Sequence, residues 1–283
     1  MSYDIVFHSL ATVAYLLLSL LIWRPLIRAQ GPVLAPGIAH WLLAAVIIVH
    51  GVAVHLAMLQ EHSLRLSWSV GLSLTIWLGM IVFWLENLIS DIGGIKLLLL
   101  PIAGVICLLA ALFPGHDSLI IPVVDGYFQV HLLISIGAYS LLAIASIQAF
   151  LMTSLDRYLH QPVQARAERS VFARALEEQP PLLVQEKILF RLIWIGFVLL
   201  TLSIVTGVVV SMRLTGVLLP FDHKTLFTLM SWVVFGLLLL GRALRGWRGR
   251  FALRWTLVGF ALLMIAYTGT RFIFDVMLHK GGA

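Results

Sequence analysis

Ten histidines are the main candidates for chemistry in this sequence of 283 residues. Histidine is scarce within apolar segments because its ring nitrogens need partners. On the topology derived below, eight of the ten fall on one side of a membrane, and His131 and His279 bracket the C-terminal half. This crowding indicates a site for a group that takes imidazole ligands, with haem as the leading candidate.

Composition identifies the class of protein before any motif does. Hydrophobic residues make up 61% of the chain and charged residues 11%, against roughly 45–50% and 25% in soluble domains. The chain is therefore predicted to be an integral membrane protein, with the lipid bilayer as its first partner. The net charge of +6 comes from Lys and Arg in short loops between apolar runs. We interpret these residues as topology signals and expect no nucleic-acid partner.

The apolar runs predict eight membrane helices, since a span needs about 20 mostly apolar residues. With the N-terminus outside, 14 Lys and Arg residues lie inside and 5 lie outside, which is the bias that membrane proteins show. The sequence thus predicts an all-α, eight-transmembrane-helix bundle with both termini outside. The runs are residues 4–23, 38–57, 67–87, 96–112, 128–153, 187–210, 223–244 and 253–272.

The chain divides at the sequence level into residues 1–110, with the first four helices, and residues 111–283, with the last four. The inner-side loop of about 154–186 is the sizeable segment outside the predicted spans. It mixes Arg and Glu with apolar residues, which fits an amphipathic helix along the inner surface; a solvated connector is the alternative. Pro180 and Pro181 should end any helix in this loop.

Most of the other histidines have a plain structural interpretation. His50 and His55 are five residues apart and diverge by about 140° around a helix, so they are not expected to ligate one centre. A bond from one of them to a neighbouring helix is favoured instead. His8, His62 and His116 fit interfacial residues bonded to backbone or water.

Sequence motifs for other catalytic chemistry are missing. The chain contains no H-E-x-x-H, no G-x-S-x-G and no glycine-rich phosphate loop, so hydrolytic and nucleotide chemistry have no support. Glu86 is the carboxylate that we place within a span, where such groups can mark proton or ion paths. No enzymatic activity is expected, although a b-type electron-transfer protein and a transporter using Glu86 are alternatives.

Three stretches from about residue 120 onward resemble the membrane cytochrome c assembly family, which includes CcsA and CcmC, and most closely its YpjD and HemX-like branch. The first is DGYFQVH at 125–131, followed by AYS at 138–140. The second runs from PPLLVQE at 180–186 to Gly207. The third comprises GWRGR at 246–250, YTGTR at 267–271 and LHKG at 278–281.

The resemblance implies an outer-leaflet haem b, held non-covalently between His131 and His279 as axial ligands of the iron. His223 is a substitute for His279. From their level on the outer side, Arg213 and Arg271 would pair with the haem propionates, with interfacial anchoring as the alternative. Tyr127 and Phe221 would pack on the porphyrin, although aromatic residues also gather at any membrane interface. His131 and His279 match the family's external histidines, and all seven residues lie on the predicted outer side.

The sequence also departs from CcsA and CcmC. Their tryptophan-rich external motif corresponds to residues 211–225, which contain no tryptophan, and the family histidine of the next helix falls near Leu240. We therefore expect a haem-binding and haem-handling protein of the inner membrane, without bond-making chemistry of its own. The alternative is a haem-free regulatory or interaction subunit of another membrane protein, for example a transporter.

Overall fold

A computed structural model describes residues 3–28, 33–60, 63–89, 95–114, 119–122, 126–160, 171–177, 179–218, 220 and 222–266. The described chain consists mainly of helices, with three short strands between them. The helices are α1 (Tyr3–Arg28), α2 (Pro36–Met58), α3 (Trp68–Ile89), α4 (Lys96–Leu112), α5 (Gly126–Leu159), α6 (Val171–Glu177), α7 (Leu182–Thr215), α8 (His223–Arg245) and α9 (Gly249–Met264). The strands are β1 (Leu59–Gln60), β2 (Ser63–Leu66) and β3 (Leu119–Pro122).

The helices coincide with the apolar runs of the sequence. Six of them, α1, α2, α3, α5, α7 and α8, are long and apolar enough to cross a membrane. Helix α4 is a shorter apolar helix of 17 residues, and α9 has 16 described residues. The predicted multi-pass helical fold is therefore confirmed, whereas the number of eight crossings and the outer placement of both termini stay predictions.

A small antiparallel sheet was not predicted from the sequence. Its strands lie in the order β1-β2-β3, and β2 pairs with β3 from Ser63↔Pro122 to Leu66↔Leu119. Strands of two to four residues are too short for alternating hydrophobicity to reveal them. The all-α prediction is corrected to this extent.

Contacts between Cα atoms divide the chain into two compact units. Unit 1 comprises residues 1–124 and 154–185, and unit 2 comprises residues 125–153 and 186–283. The described part of unit 1 contains α1 to α4, the sheet and α6. The described part of unit 2 contains most of α5 and α7, together with α8 and α9.

In unit 1, helix α6 packs against the end of α1 and the start of α4. Ala175 of α6, Leu26 of α1 and Leu97 of α4 form one buried cluster, with Trp23 packed on it. Trp23 also donates its indole N–H to the Leu97 carbonyl at 3.0 Å. Ala173, Ala175 and Leu176 of α6 are buried, and the choice between an amphipathic helix and a solvated connector for the whole loop stays open.

In unit 2, hydrogen bonds from polar side chains connect α5 to α7, α7 to α8 and α8 to α9. The Ser135 and Ser203 hydroxyls lie 2.6 Å apart between α5 and α7. Trp232 of α8 donates to the Thr201 hydroxyl at 2.9 Å, and Ser231 of α8 donates to the Gly259 carbonyl of α9 at 2.8 Å. Bonds of this kind orient apolar helices that the hydrophobic effect cannot align within lipid.

An ionic cluster holds one end of unit 2. Glu186 at the start of α7 accepts bonds from Arg242 at 2.8 Å and from Arg248 at 3.0 Å. The Arg242 guanidinium also lies 3.5 Å from the centroid of the Phe190 ring. Helix α8 ends beside this cluster at Gly246, whose φ of 65° is the left-handed cap that glycine adopts without strain. These contacts fix the α8–α9 turn relative to α7.

Candidate functional site

His131 lies in the second turn of α5 and faces α7. Its Nδ1 is 2.9 Å from the Thr206 hydroxyl oxygen, and the ring is half-buried. The Thr206 hydroxyl also lies 2.8 Å from the Leu202 carbonyl, to which it donates its single proton. Its oxygen therefore accepts a bond from His131, and Nδ1 is the protonated nitrogen of a neutral ring.

This arrangement leaves the Nε2 lone pair of His131 as the ring's ligand atom. Histidines that bind metals usually donate their other ring N–H to a protein acceptor, because that bond fixes the tautomer and the ring orientation. Thr206 supplies such an acceptor. The role of His131 as an axial ligand stays a prediction.

Gly207 lets the imidazole lie close to α7. A Cβ atom at this position would come within 3.1 Å of the His131 Cε1 atom. Any larger residue would push the ring away from Thr206. Thr206 and Gly207 together therefore determine where the His131 ring sits.

A second bond between the helices lies one turn further along. The Ser135 hydroxyl donates to the His131 carbonyl at 2.7 Å, so its oxygen accepts the Ser203 proton across the 2.6 Å contact. The backbone of His131 is thereby tied to α7 as well as its side chain. Hydrogen bonds at both the backbone and the side chain of His131 therefore fix its position against α7.

Tyr127 and Arg213, both predicted site residues, are in contact at this end of unit 2. The Arg213 guanidinium carbon lies 3.8 Å from the centroid of the Tyr127 ring. Both side chains are exposed, and they occupy the first turn of α5 and the last turn of α7. The structure thus brings Tyr127 and Arg213 together, and His131 lies one turn further along α5.

The first turn of α8 carries His223 and is capped by Asp222. The Asp222 carboxylate accepts the Thr225 backbone N–H at 2.7 Å. Partial burial tends to raise the pKa of Asp222, but the bonds from Thr225 and the charge of Lys224 outweigh it and leave the pKa below its ordinary value. His223 is exposed.

Three predicted site residues lie outside the described residues, namely His279, Arg271 and Phe221. The predicted axial pair of His131 and His279 therefore stays a prediction. Within the described residues, no group of three or more His, Cys, Asp or Glu side chains is arranged to hold a metal ion.

Unit 1 contains a different histidine cluster, in which His8 and His50 meet at the Ser73 hydroxyl. Their Nε2 atoms lie 3.0 Å and 2.9 Å from the Ser73 oxygen. His8 Nδ1 donates to the Asp4 carbonyl at 2.9 Å, and His50 Nδ1 is 3.3 Å from the Tyr15 hydroxyl. All four nitrogens are thus bonded to the protein.

The contacts in this cluster test two predictions. His50 is fully buried and bonded to a neighbouring helix, whereas His55 is exposed, so the predicted divergence of the two rings is confirmed. His8 is bonded to backbone, as expected, but it is also buried at 1% exposure and bonded to α3. The interfacial interpretation of His8 is therefore wrong, because its ring points between helices.

Sequence reasoning missed Thr206 and Ser73. Each is a hydroxyl on a helix other than that of the histidine it serves, 75 and 65 residues away from His131 and His8. Spacing within one helix gives no signal for such pairs. Glu86, considered for a transport role, is buried on α3, and that role stays untested.

Comparisons with known proteins agree with these features. The model of the family described as "Cytochrome C assembly protein" matches residues 8–278. An uncharacterised 28.8 kDa protein of Azospirillum brasilense is 32% identical over 221 residues, covering 75% of this chain and 78% of that protein.

Two named relatives are similar over shorter regions. The inner membrane protein YpjD of Escherichia coli is 31% identical over 144 residues, which is 51% of each chain. The cytochrome c biogenesis protein CcsA of Prochlorococcus marinus is 34% identical over 93 residues, covering 33% of this chain and 30% of that protein. This chain therefore spans about half of YpjD and less than a third of CcsA.

The apolar helices and the named relatives define a multi-pass protein of the bacterial inner membrane. Since the family model covers nearly the whole chain, the protein belongs to the cytochrome c assembly protein family. The resemblance seen in the sequence and the predicted localisation are both confirmed.

Proposed function

We propose that this protein binds haem b non-covalently in unit 2 and handles it during cytochrome c assembly, with His131 as one axial ligand. The observation that carries the proposal is the hydrogen bond from His131 Nδ1 to Thr206. It leaves Nε2 as a ligand atom on a ring whose orientation is fixed. Membership of the family supports the haem-handling role.

The residues around His131 fit a porphyrin in charge as well as in ligation. Arg213 carries a positive charge at the same end of unit 2, and a haem propionate is a carboxylate that a guanidinium binds through charge-assisted hydrogen bonds. Tyr127 offers an exposed aromatic face beside it. Arg271 and Phe221 are proposed to add a second positive charge and a second aromatic ring.

The second axial ligand is proposed to be His279, with His223 as the substitute. His223 begins α8 and is exposed, so its ring is free to turn toward an approaching porphyrin. Two imidazole ligands would set the potential of the iron and stabilise it in both oxidation states. The protein's own part is to bind, orient and shield the group.

Haem occupancy of the purified full-length protein tests this function directly. We expect a Soret band and about one haem per chain when the protein is made with sufficient haem supply. The variants His279→Ala and His223→Ala, measured beside wild type, identify the second ligand by a changed spectrum in one and an unchanged spectrum in the other. Protein that stays free of haem under these conditions would favour the alternative of a haem-free regulatory subunit.

A further inference from the structure

The turn between α8 and α9 has a fixed backbone. Gly246 and Gly249 both adopt left-handed conformations, with φ of 65° and 59°, which glycine adopts without strain. The Trp247 ring between them lies directly against Gly241 of α8, where a Cβ atom would collide with it. Trp247 also contacts the Phe251 ring edge-on, with centroids 4.6 Å apart. The side chains of this turn are therefore presented from a rigid support.

The same turn carries an excess of positive charge. Residues 241–255 contain five arginines and no acidic residue. Two of these arginines, Arg242 and Arg248, bind the same oxygen of Glu186, at 2.8 Å and 3.0 Å. Their guanidinium groups therefore converge, and two positive charges against one carboxylate leave a net charge of about +1 on the cluster. Arg245, in the last turn of α8, is exposed beside them.

The cluster of Arg242, Glu186 and Arg248 has hydrogen-bond donors to spare. A guanidinium has five N–H donors, and the bonds to Glu186 use Nη1 of Arg242 and Nε of Arg248. The Glu186 side chain is only 10% exposed, whereas the Arg248 side chain is 59% exposed. Glu186 therefore holds the two arginines from the protein side and leaves most of Arg248 open to a second anion.

Apolar surface adjoins these charges. Leu244 of α8 is 74% exposed and Phe251 of α9 is 42% exposed. Trp255, one turn further along α9, continues the aromatic surface, with ring centroids 5.6 Å from Phe251 and 6.3 Å from Trp247. Aromatic rings of this kind concentrate at the level of the lipid headgroups. A phospholipid matches this combination, because its phosphate is an anion and its acyl chains are apolar.

We propose that the α8–α9 turn binds the headgroup of an anionic phospholipid, with the phosphate against the exposed side of Arg248 and beside Arg245. The phosphate accepts charge-assisted hydrogen bonds from donors that Glu186 does not use, and the acyl chains lie along Leu244 and Phe251. A zwitterionic headgroup brings an ammonium group that the positive cluster repels, so the site selects headgroups of net negative charge. The predicted topology places this turn inside, where basic pockets between spans bind such headgroups.

Arginines between spans also act as topology signals, and that role makes a different prediction. A topology signal depends on how many positive charges lie on one side, so any of the five arginines serves equally. A binding site depends on which arginine is removed. Arg248 belongs to the cluster at Glu186, whereas Arg254 is an exposed residue in the second turn of α9. Replacing either one removes the same charge, so the two variants separate the roles.

Lipid binding to purified, delipidated full-length protein tests the proposal. Native mass spectrometry and thermal unfolding in detergent are measured with phosphatidylglycerol, phosphatidylcholine or inorganic phosphate, each added at the same concentration. We expect phosphatidylglycerol to stay bound and to raise the unfolding midpoint, because a ligand of the folded state stabilises it. Phosphatidylcholine and inorganic phosphate should do neither. Equal retention of the two lipids, or an equal shift with inorganic phosphate, would overturn the proposal.

Variants that change one charge locate the site. Arg248→Ala should weaken phosphatidylglycerol binding about tenfold, whereas Arg254→Ala should bind nearly as wild type does. Arg248→Lys keeps the charge but loses the planar fork of donors, so its affinity should lie between those of wild type and Arg248→Ala. Should Arg248→Ala fail to fold, the comparison of Arg248→Lys with Arg254→Ala decides. Equal affinities at the two positions would show attraction by total charge alone and contradict a site at this turn.

Discussion

The two units use histidine in opposite ways. In unit 1, His8 and His50 have both ring nitrogens bonded to the protein. In unit 2, the bond from His131 to Thr206 uses Nδ1, and the proposed function assigns Nε2 to the haem iron. The number of buried histidines therefore does not locate a haem site. We expect a haem site to contain an imidazole with one ring nitrogen hydrogen-bonded to the protein and the other nitrogen available to the iron.

The largest effect expected from this difference is on stability in unit 1. The substitution His50→Ala removes the hydrogen bonds to Tyr15 and Ser73 and leaves a cavity at a fully buried position. We expect a loss of about 2–4 kcal/mol, seen as a lower midpoint of thermal unfolding in detergent, with haem content per folded chain unchanged. His55→Ala, an exposed position on the same helix, is the control and should alter neither quantity. Loss of haem in His50→Ala would contradict the division of roles.

A second effect should appear in haem affinity, with little change in stability. Thr206→Val removes the acceptor of the His131 N–H but keeps the shape of the side chain. Loss of such a supporting bond typically weakens metal binding by roughly 10–100-fold, and a haem titration of the apoprotein measures this directly. Thr215→Val is the comparison, because Thr215 is an exposed threonine of the same helix whose hydroxyl donates to the Ser211 carbonyl, and this variant should bind haem nearly as wild type does. Equal affinities in the two variants would refute the role of Thr206.

A smaller effect is expected from moving the His131 ring without changing its bonds. In Gly207→Ala, the new methyl group would lie 3.1 Å from His131 Cε1, so the ring must shift by a few tenths of an ångström. We expect haem affinity to fall by less than about tenfold, measured by the same titration. Gly137→Ala is matched to it, because its methyl group would lie at an ordinary 3.6 Å from Leu199. An unchanged affinity in Gly207→Ala would show that the ring position is not limiting.

The sequence predicted the helices well and the contacts between them poorly. Apolar runs of the length of a span locate α1 to α5 and α7 to α9, because lipid requires the backbone of each span to bond within itself. The resemblance to a known family points to His131, and the position on the predicted outer side points to Arg213. Thr206 and Ser73 were not, because their importance depends on which helix faces which.

The hydrogen-bond state of each histidine was likewise beyond the sequence. His8 and His131 both lie near the ends of apolar runs, and nothing in their neighbours along the chain separates them. Their difference arises from the helix that each one faces. In unit 1, Ser73 of α3 bonds both His8 and His50. In unit 2, Thr206 of α7 donates its proton to its own backbone and can only accept a bond from His131. Such pairings depend on helix rotation, which packing sets.

The most direct test of the central claim is replacement of the His131 side chain by free imidazole. In His131→Gly, the loss of the imidazole should convert the spectrum of haem-loaded protein to that of iron lacking one axial nitrogen. Added imidazole should restore the wild-type spectrum by entering the space that the side chain leaves. A spectrum identical to wild type before imidazole is added, or a changed spectrum that imidazole does not restore, would contradict the assignment of His131 as a ligand of the iron.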